Sequence, residues 1–177
     1  MPYMLKNLQM KQRMYSTADV LKFLLRTLGG RAPYASLRYF AFLAQYVIRG
    51  REVRKYLAGG KPLARAKFYL WSDIMSEEVA DASEEFASEM GKVYVELIYN
   101  GPPPALPPPV EARLAYVAVE YGGWKPWQLR THIYKLLDLA NQEKRSDYAG
   151  HYIDNYLKAE KFKLKTKELL AEAARRG

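Results

Sequence analysis

His151 follows Asp147 by four residues and precedes Asp154 by three. On a helix, that spacing sets the imidazole between two carboxylates on one face, a nitrogen–oxygen set suited to zinc. The same spacing also describes a solvated face with an i,i+4 pair, and this plainer reading is preferred. Elsewhere, catalytic chemistry is scarce. His132 is the only other histidine, and the chain has no cysteine. Thiolate catalysis, cysteine metal sites and disulfides are therefore excluded. Gly59-Gly60-Lys61 lacks the upstream glycine of a phosphate loop, and Pro62 stands where that loop has Ser or Thr. No G-x-S-x-G or H-E-x-x-H occurs, and no nucleophile is visibly paired with a base. The expectation is a protein without catalysis, cofactor or metal.

Binding chemistry is better represented. Tyr34, Arg38, Ala41 and Gln45 share one stripe of a helix, opposite its aliphatic face, and Arg49 extends the stripe. The second helix of a helix-turn-helix reads base edges with such side chains, Arg to guanine and Gln to adenine. Arg51, Arg54, Lys55, Lys61, Arg65 and Lys67 are then candidate phosphate contacts. A generic basic surface explains the same residues. Tyr39, Phe42 and Tyr46 lie at i, i+3 and i+7, which suits packing better than base stacking.

A second set is acidic. Glu77, Glu78, Asp81, Glu84 and Glu85, with Glu89 beyond, wrap a helix outside its Val79/Phe86 stripe. A surface helix does this by default. The sharper reading is a docking face for a basic partner or for the chain's own basic segment.

Both sets belong to a charge pattern sorted by position. Residues 1–70 carry 14 Lys and Arg against 2 Asp and Glu; residues 71–123 carry 2 against 10; residues 124–177 carry 12 against 7. The net charge of +9 thus hides a basic arm followed by an acidic middle. One surface attracts polyanions, and another repels them or docks onto the first.

The elements that position these residues are mostly helices. Ser16 caps a run with Val20, Leu21, Leu24, Leu25 and Leu28 at helical spacing, and Gly29-Gly30 ends it. Pro33 suits the first turn of a second helix with the stripe Leu37, Phe40, Ala44, Val47 and Ile48, stopped by Gly50. Arg51 to Ala58 reads as a short third helix. Leu63 to Trp71 is ambiguous. Ser76 caps a helix with Val79, Ala82, Phe86 and Met90 on one face, ending at Gly91. Lys92 to Tyr99 alternates as a strand. The stretch from Pro102 to Pro109 holds six prolines, favours polyproline II, and reads as a stiff spacer that starts the next helix. That helix carries Val110, Leu114, Val117 and Tyr121, and Gly122-Gly123 stops it. Pro126 opens another, with Leu129, Ile133, Leu136, Leu137 and Ala140. Beyond it, either one bent helix or a helix, a small strand over Lys161 to Lys165 and a helix capped by Thr166 completes the chain. Tyr148, Tyr152 and Tyr156 mark either a dimer contact or packing on the domain.

Two corners share punctuation. Leu28-Gly29-Gly30-Arg31-Ala32-Pro33-Tyr34 parallels Tyr121-Gly122-Gly123-Trp124-Lys125-Pro126-Trp127. Glycine supplies a left-handed C-cap, and proline presets the next helix. The same physics produces such corners independently, without duplication.

The expected fold is mainly α: a helical domain with helix-turn-helix-like corners and a small β element. The domain spans 1–140, with the β element around 92–99 and the Pro-rich connection at 102–109. A C-terminal helical extension spans 141–177. Lys6 and Lys11 lead into no apolar h-region, and the longest uncharged apolar run, Tyr39 to Ile48, is too short for a bilayer crossing of about 20 residues. A cytoplasmic protein with no membrane contact is expected. Four Asn, five Gln and no Cys match thermophile usage.

The order of these pieces resembles the Panacea antitoxin-like domain family, over roughly residues 16–140. The resemblance rests on a Pro-led helix at Ala32-Pro33-Tyr34-Ala35-Ser36-Leu37-Arg38-Tyr39-Phe40-Ala41-Phe42-Leu43-Ala44-Gln45. It rests also on the Trp and helix start in Phe68-Tyr69-Leu70-Trp71-Ser72-Asp73-Ile74-Met75-Ser76-Glu77-Glu78-Val79, and on Leu129-Arg130-Thr131-His132. It implies a mostly helical, non-enzymatic domain that binds a protein partner such as a toxin. No functional residue is carried over from it. The leading expectation is a regulatory, antitoxin-like interaction module. The alternative is a winged-helix or helix-turn-helix regulator that binds double-stranded DNA.

Overall fold

A computed structural model describes residues 15–49, 52–55, 66–68, 74–137, 139, 151–152, 155–156 and 170–176. Helix α1 (Thr17–Thr27) begins at Ser16, whose Oγ accepts from the Asp19 amide while Asp19 accepts from the Ser16 amide. This reciprocal box satisfies two amides that a helix start leaves unpaired. The other end is closed by glycine. The amide of Gly30 donates to the Leu25 carbonyl and that of Gly29 to Arg26. Both glycines have positive φ, at 93° and 91°. This is the Schellman arrangement, in which a side chain at the left-handed position is strained.

Strand β1 (Arg31–Pro33) follows and leads into α2 (Tyr34–Gln45), with Pro33 just before the first helical turn. Nine of the twelve residues of α2 are buried. The helix is packed by α1, by α3 (Glu77–Ser83), by α4 (Pro108–Tyr121) and by α5 (Pro126–Leu136). It is the central rod of the core, apolar nearly all round, as a helix enclosed on every side must be. It stops at Gln45 rather than at Gly50. Tyr46–Arg49 form β2, paired antiparallel with β3 (Glu52–Lys55) in the register Val47 to Arg54. The β-branched pair Val47-Ile48 accounts for the change, because it fits a pleated strand better than a helix. The short helix expected from Arg51 to Ala58 is thus replaced by strand at Glu52–Lys55. The ambiguous segment contributes β4 (Ala66–Phe68), paired with β5 (Ile74–Ser76).

Ser76 caps α3 by accepting from the Val79 amide. The helix ends at Ser83, short of the expected Gly91. Ala87–Met90 form β6, and Met90 is exposed instead of lying on an apolar helix face. The alternating segment forms β7 (Val95–Ile98) as expected, and pairs antiparallel with β6 and β1 to give the sheet order β1-β7-β6. Leu97 and its partner Ala32 are the buried pair of this sheet. On its opposite face Glu89 and Glu96 stand directly across from each other.

The Pro-rich stretch forms neither helix nor strand over residues 102–107, buries Leu106, and accepts a 2.7 Å hydrogen bond from the Tyr99 hydroxyl at the Pro102 carbonyl. It launches α4 with proline in the first turn, as expected of a spacer. Val110, Leu114 and Val117 of α4 join Leu129 and Ile133 of α5 against α2. From α4, Arg113 Nη2 donates to the Leu43 carbonyl at 2.8 Å, one of the orphan acceptors in the last turn of α2. The core extends into the C-terminal part. Tyr156 is fully buried, and its hydroxyl donates to the Leu137 carbonyl at 2.6 Å. Tyr156 therefore packs on the domain and is no dimer contact. Residues 170–176 are helical and exposed. The expected strand over Lys161 to Lys165 lies outside the described residues.

The fold is mainly α with a small antiparallel β element. No helix among the described residues is long and apolar enough to cross a membrane.

Candidate functional site

The two Gly-Gly corners meet. A methyl group placed on Gly122 would sit 3.2 Å from Leu28 Cδ2, so the corner after α4 packs against the corner after α1. The tip of the β6–β7 hairpin, Gly91 to Tyr94, adds a third wall. Between them lies a groove of about 840 Å³. Arg31 and Pro33 come from the first corner, Lys92 and Val93 from the hairpin, and Trp124, Lys125 and Trp127 from the second.

The second corner is built to hold an aromatic cluster. Gly122 has φ of −60°, and the Trp124 amide turns back to the Tyr121 carbonyl at 3.0 Å. The left-handed glycine expected here is present at the first corner only among the described residues. The turn stacks Trp124 edge-on against Tyr121, with centroids 5.1 Å apart and planes at 85°, and against His132 at 5.1 Å and 70°. The Tyr121 hydroxyl and His132 Nε2 share a hydrogen bond of 3.2 Å. Burial, and the charge of Lys135 after it, hold the imidazole below its ordinary pKa. Trp124 is thus fixed yet 37% exposed, while Trp127, in the first turn of α5, is 55% exposed. Trp124, Trp127 and Val93, all exposed, line the same groove, and large apolar side chains left to solvent in one concavity mark an interaction site.

Charge in the groove is sparse. Arg31 Nη1 donates to Glu89 Oε2 at 2.7 Å, and Arg31 Nε donates to Glu96 Oε2 at 2.5 Å. The guanidinium holds the two facing carboxylates together, and these two bonds push its own pKa still higher. Lys92 and Lys125 are exposed.

The acidic set keeps its surface. Glu77, Asp81, Glu84 and Glu85 are exposed, while Val79 and Ala82 fill the core beneath them. Glu78 is half-buried and accepts from Ser76 Oγ at 2.9 Å, which commits it to the helix cap. None of these carboxylates lines the groove.

Of the nucleic-acid set, the described side chains are those of Tyr34, Arg38, Ala41 and Gln45. Gln45 is fully buried, and Ala41 with it. Arg38 is half-buried, its guanidinium 5.5 Å from the Tyr34 ring and 5.4 Å from Tyr39. A recognition helix must present its reading residues to a groove of DNA. The C-terminal part of the stripe, Ala41 and Gln45, instead turns into the core, while Tyr34 and Arg38 are half-buried, because α2 is packed by four helices. Arg49 falls on β2, and Arg54 and Lys55 on β3. Arg51 lies outside the described residues. So do Asp147 and Asp154, and His151 is exposed. Among the described residues no group of three metal-ligating side chains forms.

Sequence reasoning missed the groove. Its signal was present in Trp124 and Trp127, two large aromatics at a helix–turn–helix corner with no apolar stripe to absorb them. No protein-family model matches the chain, and no curated protein or solved structure is significantly similar to it.

Proposed function

We propose that this chain is a non-enzymatic regulatory interaction module, antitoxin-like, that binds a protein partner in the groove between its two Gly-Gly corners. The observation that carries the reading is the pair Trp124 and Trp127, both solvent-exposed in one groove, with Trp124 held in place by the Tyr121–His132 cluster. Tryptophan, tyrosine and arginine dominate the energetics of protein interfaces, and a wall already ordered before binding loses little entropy on docking. The exposed acidic face of α3 offers the partner a second, electrostatic contact. The resemblance to antitoxin-like domains points the same way and names the class of partner, a toxin. A cytoplasmic setting is part of this reading.

The test is genetic and physical. Expressed alone, the product of a neighbouring gene should arrest growth, and co-expression with this chain should restore it. The two products should co-purify. Trp127→Ala should weaken the complex by about 2 kcal/mol, roughly thirtyfold in Kd, with no change in the unfolding midpoint. A neighbouring product that is harmless and does not bind removes the proposal.

A further inference from the structure

We infer that the groove takes an acidic peptide segment of its partner, anchored by one aromatic or aliphatic side chain; this rests on the protein-binding reading above. The argument begins with charge. Among the described groove-lining residues the one carboxylate is Glu96, and its Oε2 already accepts from Arg31. Arg31 is in turn spent on Glu96 and Glu89. The remaining charged residues among the described lining are two exposed lysines, Lys92 on the hairpin tip and Lys125 before α5. Like charges juxtaposed across an interface are costly, so a basic segment is disfavoured and an acidic one is drawn in. Lysine suits this task. Its flexible stem and three rotatable donors reach carboxylates at varied positions, without the fixed fork that arginine imposes.

The apolar part needs an anchor. Val93, Trp124 and Trp127 supply a surface for one large side chain, and a groove of about 840 Å³ lies in the range that encloses compact ligands. A single-stranded nucleic acid fits the same lysines less well. Strand binding uses successive open ring faces as stacking platforms. Here Trp124 is built edge-on into the Tyr121–His132 cluster, which leaves Trp127 as the more open ring. A second copy of the chain fits less well too. Its acidic helix α3 buries Val79 and Ala82 in its own core and so presents no anchor.

The experiment selects random dodecapeptides, by display, on the full chain and on the Lys92→Glu/Lys125→Glu double variant. Wild type should enrich Asp and Glu around one aromatic or aliphatic residue. The double variant should enrich Lys and Arg around the same anchor. Its unfolding midpoint, checked beside wild type, should be unchanged because both lysines are exposed. Two of the three tryptophans line the groove. The selected acidic peptide should therefore shift the intrinsic fluorescence, with a Kd about tenfold weaker or more on the double variant. A neutral or basic consensus on wild type overturns the inference and leaves the protein-binding reading standing. No consensus on either protein removes both. Oligothymidylate that quenches the fluorescence more tightly than the selected peptide also overturns the inference, in favour of nucleic acid.

Discussion

His132 shows how a residue of unremarked type acquires a role from its neighbours. It sits against Tyr121 and Trp124, and burial pushes its pKa below 6.5, with Lys135 adding to the effect. An unfolded histidine titrates near 6.5. As pH falls through that value, the unfolded chain takes up a proton that the folded chain resists. Stability is thus full above about pH 6.5 and declines as pH falls toward the lower, folded-state pKa. His132→Gln should flatten that acidic limb, measured as urea midpoint against pH; an unchanged limb would place the effect elsewhere. Gln45 is the residue on which the sequence reading failed. Its helical stripe with Arg38 was real, but a stripe says only which residues share a face. Whether that face meets solvent depends on how many helices surround it, and α2 has four. Gln45→Ala should therefore lower the unfolding midpoint, as truncation of a buried side chain does. A base-reading residue would leave the midpoint untouched.

At the scale of elements, the two corners look alike in sequence and work differently. Gly29 has φ of 93° with open space around it, so a side chain there meets backbone strain alone. Gly122 has ordinary φ, but an added methyl would lie within 2.3 Å of the Ala118 carbonyl oxygen, so it meets a clash. Asparagine tolerates the left-handed region better than alanine. At position 29, Asn should cost less than Ala, whose penalty is about 1–3 kcal/mol. At position 122, Asn should be no better than Ala. Equal rankings at both sites, read from thermal unfolding, would refute the distinction. Arg113 makes a parallel point about helix ends. It supplies from α4 the cap that α2 lacks locally, and Arg113→Met should cost about 1.5–3 kcal/mol, the range for a charged hydrogen bond. Local signals were legible: the Ser16 and Ser76 caps, the strand around residue 97 and the proline-started α4 all stand as read. Element ends set by tertiary pairing were not. The strand at Ala87–Met90 exists because β7 offers it a ladder, and nothing in its own composition overrides the helical pattern that precedes it.

At the scale of the whole molecule, the sorted charge becomes a statement about surfaces. Among the described residues of the basic arm, the helix Tyr34–Gln45 is mostly core and buries Gln45 and Ala41. Of the acidic middle, Glu77, Asp81, Glu84 and Glu85 keep a solvent face on and just after α3, Glu111 and Glu120 are exposed on α4, and Arg31 gathers Glu89 and Glu96 into the sheet. Long-range attraction for polyanions survives this rearrangement, since it depends on the net charge of +9 rather than on any one side chain. Sequence discrimination would need side chains at base edges, and the buried Gln45 supplies none. Duplex DNA should therefore bind weakly at low salt, with log affinity falling linearly against log salt as counterions are released. Duplexes of unrelated sequence should compete equally. A competitor preference above about tenfold would exceed what phosphate contacts supply and would require base readout from residues other than the buried face of α2.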